Sequence, residues 1–356
     1  MNEMNVFDVT VIGGGPAGLF SAFYSGLREM KTKVIEYHPY LGGKVRLYPE
    51  KTIWDVGGLP PVTGADLIDN LVAQGLTFQP EVVLNEKIVA IQKQDGLFVL
   101  EAASGRKHYS KTVIVAVGSG ILKHTKLDVA GAERFEHSNL HYTVTSLEDF
   151  RDQTVLISGG GNSAIDWAVE LEPYAKKVYI VCRGEELCGH EAQITHIMNS
   201  SVECLPQTTI TNLIPAVNED RIQQVELTRN GSDVFRVDVD AVIVNHGFDM
   251  DTELLKNAEL GLELVDDYFI KGTAKCESTV PGLFAAGDIL HYDGKLNLLA
   301  GCFQDAANAV NQAKKYIEPD AEAFAMVSSH NEVFNELNKK WKQSTQKAQS
   351  HVLQKA

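Results

Sequence analysis

Two glycine-rich stretches, Gly13-Gly14-Gly15-Pro16-Ala17-Gly18 and Gly159-Gly160-Gly161-Asn162-Ser163-Ala164, each sit between a run of β-branched apolar residues and a segment of helical periodicity. Nothing else in the chain restricts its fold as strongly. The runs before them, VFDVTVI and TVLIS, have the character of buried strands, and those after them, LFSAFYSGL and IDWAVELEPYA, space their apolar residues as a helix does. KVIEY and KVYIVC then close each unit as a second strand. Strand, tight turn, helix and strand in that order is a βαβ unit. Two of them far apart in one chain predict an α/β protein with two nested Rossmann-like domains, and not a short-period solenoid.

The chemistry of such a turn follows from its residue types. In the first, Gly13 permits the tight turn, Gly15 lets backbone approach a pyrophosphate, and Gly18 lets the helix pack on the strand. The helix N-terminus, opened by Pro16, offers N–H groups and a favourable dipole to phosphates. Glu36, closing the next strand, can accept both hydroxyls of a ribose. This turn is therefore a dinucleotide site. In the second, Gly159, Gly161, Asn162, Ser163 and Ala164 repeat the pattern, but the strand after it ends on Cys182, where an acid would select a 2'-hydroxyl. Arg183 can meet a 2'-phosphate, with Glu185 and Glu186 close behind to repel one. The residues alone leave the choice of dinucleotide at this turn open.

Each βαβ unit is followed by a β-rich crossover. Residues 81 to 117 alternate as strands around turn signals at Asp95-Gly96 and Ser104-Gly105, and the second crossover turns at Asn230-Gly231. No apolar run is long enough to span a membrane, and the N-terminus lacks a signal-peptide pattern, so a cytoplasmic protein is expected. A net charge of -15 argues against nonspecific nucleic-acid binding. Cys182, Cys188, Cys204, Cys276 and Cys302 form neither a C-x-x-C pair nor a metal-ligand cluster, so no metal is expected. From Ser328 the chain turns polar and basic, with Phe334, Leu337, Trp341 and Ala348 on one helical stripe.

Phe284-Ala285-Ala286-Gly287-Asp288 resembles the second FAD motif of two-dinucleotide flavoproteins, and Thr112 to Gly118, TVIVAVG, resembles their domain-linking strand. LGGKVRLYPEKTIWDVGGLP at 41 to 60, GGGNSAIDWAVELEP at 159 to 173, the region 285 to 319 and SSH at 328 to 330 together resemble the bacterial ferredoxin–NADP+ reductases of the thioredoxin-reductase-like type, over about residues 6 to 334. The resemblance implies FAD at the first turn and NADPH or NADH at the second. Hydride would pass to the flavin and electrons onward to ferredoxin or flavodoxin. It implies a homodimer in which Tyr48 stacks on one flavin face and His330 of the other subunit covers the opposite one. Further flavin contacts carried over by position are Glu36, Lys44, Ile88, Leu122, Asp288 and Ser329. No residue is expected to act as a general acid or base.

The implied domains are 1–117 with 248–327 for FAD, 118–247 for the nicotinamide cofactor, and a covering tail at 328–356. Gly118 to Gly120 and Gly247 are the implied hinges. Thioredoxin reductase proper shares this fold but needs a redox C-x-x-C, and Tyr142 and Thr145 stand where those cysteines would fall. Lys44 departs from the family's usual Gln. Cys182-Arg183-Gly184 with Cys188 replaces His-Arg-Arg and a further Arg, which predicts weakened preference for NADPH. Two alternatives remain in view: an NADH-preferring flavin reductase or NAD(P)H oxidase, and a non-enzymatic redox sensor.

Overall fold

A computed structural model describes residues 5–217, 219–251, 253–257 and 260–342. These fall into two compact units, the described residues of 5–41, 73–118 and 255–342, and those of 42–72 and 119–254.

The first unit is built on a seven-stranded sheet. Strand Val6–Ile12 lies at its centre, parallel to Thr32–Ile35 on one side and to Lys107–Val115 on the other, with Glu81–Val83 beyond Thr32–Ile35. The predicted crossover is an antiparallel meander, Ile88–Gln94, Leu97–Ala102 and Lys107–Val115, whose last strand runs on into the parallel sheet. Asp95 and Gly96, with φ of 49° and 82°, form its first turn in the left-handed conformation that the Asp-Gly pair suits. Leu283–Ala285 joins the far end of Lys107–Val115 in parallel. Helices Pro16–Leu27 and Leu299–Ile317 cover the sheet and pack on each other. Val9, Val11 and Ile114 on one face of the sheet and Val113 and Leu283 on the other are fully buried, as expected of parallel strands covered on both faces.

The second unit has a five-stranded parallel sheet in the order Leu140–His141, Ala241–Val244, Thr154–Ser158, Lys177–Val181 and Glu203–Leu205. A three-stranded antiparallel sheet, Thr208–Pro215, Ile222–Arg229 and Asp233–Asp238, forms its crossover. Asn230 and Gly231 again supply the left-handed turn, at 50° and 72°. The strands where the chain enters and leaves this unit, Leu122–His124 and Phe248–Met250, pair antiparallel. Residues 42–72, which the sequence expectation kept with the first domain, pack with this unit. In the tail, Ser328–His330 and Glu332–Phe334 are 3-10 turns and residues 335–342 are helical. Ala348 and the rest of the tail lie outside the described residues.

Candidate functional site

At Gly13 and Gly18 the first glycine turn is closed by backbone where a side chain would stand. Gly13 has φ +107°, and a Cβ on it would stand 2.4 Å from the Ala116 carbonyl oxygen. A Cβ on Gly18 would stand 1.9 Å from the Gly13 oxygen, so the helix reaches this depth only with glycine there. Gly15 is the N-cap of Pro16–Leu27 and supplies no side-chain cap, leaving the helix N-terminus open to an anion. Glu36 lies beneath, 7% exposed, and both carboxylate oxygens are engaged: the Gly14 N–H donates to Oε2 at 2.6 Å and the His38 N–H to Oε1 at 2.8 Å. The expected acid thus sits directly under the turn.

The other flavin motifs converge on the same place. The Ala286 N–H donates to the Val115 oxygen at 3.0 Å and the Ala116 N–H to the Ile12 oxygen at 2.8 Å, so strand ends 12, 115 and 285 stand in a row. Gly287, at φ +78°, approaches the helix N-terminus so closely that a Cβ would be 3.0 Å from the Ala17 methyl group. Asp288, half-buried, follows it. Ile88 is buried at the start of its strand.

A buried network that the sequence did not announce holds this second turn. Asp305, fully buried in the middle of helix Leu299–Ile317, accepts from the Gly287 N–H at 3.1 Å and from the Tyr292 hydroxyl at 3.0 Å, and pairs with Lys295. Burial and the adjacent Asp305 charge push the Tyr292 phenol up to about 12. Burial likewise pushes Cys302, next to Gly287, up to about 12, which makes it an inert thiol. The only sequence signal for Asp305 was a carboxylate on an otherwise alanine-lined helix face.

The second glycine turn repeats the backbone and changes the periphery. Gly159, at φ +153°, is closed by the Asn245 oxygen 2.5 Å from its missing Cβ, and Ala164 takes the place of Gly18 with its methyl 3.1 Å away. Gly161 is different: nothing lies within 4 Å of its Cβ position, and it caps helix Asn162–Leu171 without a side-chain hydrogen bond. The Oδ1 of Asn245, at the end of the neighbouring strand, is buried without a partner. An open glycine, an uncapped helix and an orphaned acceptor fit a ligand that supplies phosphate and hydroxyl groups. Asn162 Oδ1 accepts from the His190 N–H at 3.2 Å. Cys182 is buried and Arg183 is exposed, as are Glu185 and Glu186. His246 Nε2 is 2.8 Å from Ser158 Oγ, and partial burial followed by the Arg183 charge holds its imidazole below the usual range.

The LYPEK segment is anchored on that same helix. Tyr48 lies 5.8 Å from the buried Trp167 ring and is hydrogen-bonded with Ser163. Burial raises its phenol, against the pull of Ser163. Lys51 pairs with Asp166 at 2.6 Å and lies over both aromatic rings, and Glu50 accepts from the Leu147 N–H at 2.9 Å. Lys44 is exposed in the 3-10 turn Gly43–Leu47. Ser329 and His330 are exposed, while Phe334 packs against Phe23 and Phe78 of the first unit at 6.4 and 5.7 Å. The side chain of Leu122 lies outside the described residues. Among the described residues no cluster suits a metal ion, and no helix is long and apolar enough to cross a membrane.

The family pattern of the pyridine nucleotide-disulphide oxidoreductases matches residues 7–313. The chain is 63% identical to ferredoxin–NADP reductase 1 of Bacillus mycoides and 62% to that of Bacillus cytotoxicus, covering 95% of this chain and 98% of each relative. Its fold is similar to that of Lactococcus lactis thioredoxin reductase, at 23% identity and a TM-score of 0.73, over 87% of this chain and 99% of the other. The structural likeness shows the fold, and the family pattern with these relatives shows the rest: the chain belongs to the pyridine nucleotide-disulphide oxidoreductase family and, within it, to the ferredoxin–NADP reductases.

Proposed function

We propose that the first unit holds FAD, the second binds NADPH or NADH, and the protein moves electrons between that coenzyme and ferredoxin or flavodoxin. The observation that carries this is the convergence of the Gly13 turn, Glu36 and the Gly287-Asp288 turn on one helix N-terminus. Bound FAD would supply the redox chemistry, taking a hydride from reduced nicotinamide and releasing electrons to the acceptor.

The chain's own residues do the holding. Gly13, Gly15, Pro16 and Gly18 present backbone to the pyrophosphate, Glu36 accepts from the adenosine ribose beside Ile88, and Asp288 accepts from the ribityl chain. Gly159, Gly161, Asn162, Ser163 and Ala164 do the same for the coenzyme pyrophosphate, and Arg183 meets a 2'-phosphate where there is one. Tyr48 and, in a homodimer, His330 of the other subunit exclude water from the two flavin faces, with Lys44, Leu122 and Ser329 nearby. No side chain moves a proton in the hydride step. The 2'-phosphate site, with Arg183 as its one arginine, gives a modest preference between coenzymes.

Steady-state kinetics with both coenzymes against ferredoxin, flavodoxin, free flavin and a dye tests this. Turnover with ferredoxin or flavodoxin supports the reading. Turnover with dye or free flavin alone makes the protein a flavin reductase, and no turnover with any acceptor refutes electron transfer.

A further inference from the structure

The second crevice carries two cysteines, Cys182 and Cys188, against one glycine of its turn. Cys182 directly follows strand Lys177–Val181 and is 6% exposed. Cys188 is exposed, donates its backbone N–H to the Gly160 oxygen at 2.7 Å, and bridges Gly161. Cys182 lies against the same glycine: a Cβ on Gly160 would stand 2.8 Å from the Cys182 Cβ and 3.6 Å from its sulfur. Residues 183 to 187 fold back over Cys182, whose Sγ–H faces the Gly184 and Glu186 oxygens at 3.5 and 3.9 Å. A disulfide needs Cα atoms within about 7 Å; both cysteines contact Gly160, and Cys188 is near enough to act electrostatically on the Cys182 thiol. Arg183 lies on the loop between them.

We propose that Cys182 and Cys188 form a redox modification site, closing to a disulfide that gates the coenzyme crevice through the loop bearing Arg183. The gating rests on the second turn being the coenzyme site. The oxidant is a hydroperoxide. Cys188, being exposed, reacts first: its thiolate sulfur bonds to one peroxide oxygen, the O–O bond breaks, and an alcohol or water leaves with a proton. The sulfur of Cys182 then bonds to that of Cys188, the S–O bond breaks, and the hydroxyl departs as water with the Cys182 proton. Two thiols lose two electrons, and the peroxide gains them. Burial holds the Cys182 thiol protonated and shields it from peroxide, so it enters only at the second step, giving up its proton as the S–S bond closes. Closing the bridge pulls the loop off the course that now wraps the reduced Cys182, and Arg183 moves with it.

The full-length protein would be treated with hydrogen peroxide, alkylated and mapped by mass spectrometry, with NADPH and NADH binding measured by calorimetry before and after. A peptide linked through Cys182 and Cys188 is expected, with NADPH affinity reduced about tenfold, and both changes reversed by dithiothreitol. Cys188→Ser and Cys182→Ser should each abolish bridge and change, and Cys204→Ser, on the neighbouring strand, should abolish neither. Cys188 found only as sulfinic acid, or bridged to Cys204, overturns the proposal. So does a Cys182–Cys188 bridge with unaltered NADPH affinity. If the reduced protein binds neither coenzyme, the functional reading falls and the gating with it, whereas the bridge is still decided by mass alone.

Discussion

The two glycine turns share a backbone and differ in what surrounds it. At the first, the turn is closed against Ala116, the helix against Gly13, and the carboxylate of Glu36 is held by two backbone N–H groups. At the second, the same strand-to-helix geometry opens outward: Gly161 faces empty space, a thiol replaces the acid, and Arg183 is exposed. A ligand that stays bound through many turnovers needs its partners fixed in advance, and one that exchanges each cycle needs an accessible crevice. One fold delivers both by changing the residues around the turn.

The largest effect is expected at the support of the first site. Asp305→Asn leaves Lys295 buried without its carboxylate, and breaking such a pair from one side costs about 3–5 kcal/mol. Thermal unfolding of the FAD-free protein should show that loss, and the Gly287-Asp288 turn, held now by an uncharged acceptor beside an uncompensated lysine, should bind added FAD more weakly. Unchanged melting would mean that the turn is held by strand pairing alone.

Next comes a matched pair of substitutions. Gly18→Ala places a methyl 1.9 Å from a backbone oxygen that cannot move aside, and overpacking of this kind costs about 1–3 kcal/mol or more. The purified variant should melt earlier and carry less flavin absorbance. Gly161→Ala has room and an extended backbone, φ -95° and ψ 179°, that any residue adopts, so stability should hold within about 0.5 kcal/mol. Its coenzyme KM should rise about tenfold, because the methyl occupies the approach of the pyrophosphate. If the two variants lose equal stability, the contrast between a closed and an open turn fails.

The electrostatic difference is smaller. Arg183→Ala should weaken NADPH binding about tenfold, near 1.4 kcal/mol, and leave NADH binding alone. In the unmodified protein kcat/KM for NADPH should exceed that for NADH by less than about a hundredfold, roughly 2.7 kcal/mol at 1.36 kcal/mol per decade. A larger ratio would show that groups other than Arg183 read the 2'-phosphate.

Local patterns made much of this legible from sequence. Alternating strands with Asp-Gly and Asn-Gly turns announced both crossovers, because register and left-handed φ leave direct traces in residue type. Glu36 was legible because its distance from the turn is set by one helix and one strand. Asp305 was not, since its partners Gly287, Tyr292 and Lys295 reach it only through tertiary packing. The grip of Lys51 on Asp166 was hidden for the same reason: the two are 115 residues apart. The Ser158–His246 contact likewise joins the ends of two strands that are neighbours only in the sheet.

That contact supplies the finest test of the comparison. His246 has its pKa lowered by partial burial and by Arg183, so the folded state binds its proton less readily than the unfolded chain, where imidazole titrates near 6.5. At neutral pH both states hold it neutral and it contributes no pH dependence. As pH falls through about 6.5, the unfolded chain takes up the proton first, and stability declines until the folded histidine is protonated as well. Removing the cation in Arg183→Ala takes away the second of the two causes, so His246 should titrate at a higher pH and the decline on the acid side should shrink. NMR titration of the His246 ring proton, assigned with His246→Gln, measures the first effect, and melting temperature between neutral and mildly acidic pH measures the second. An unmoved titration would place the Arg183 charge too far from the strand ends to be felt there, and would leave burial alone as the cause of the shift.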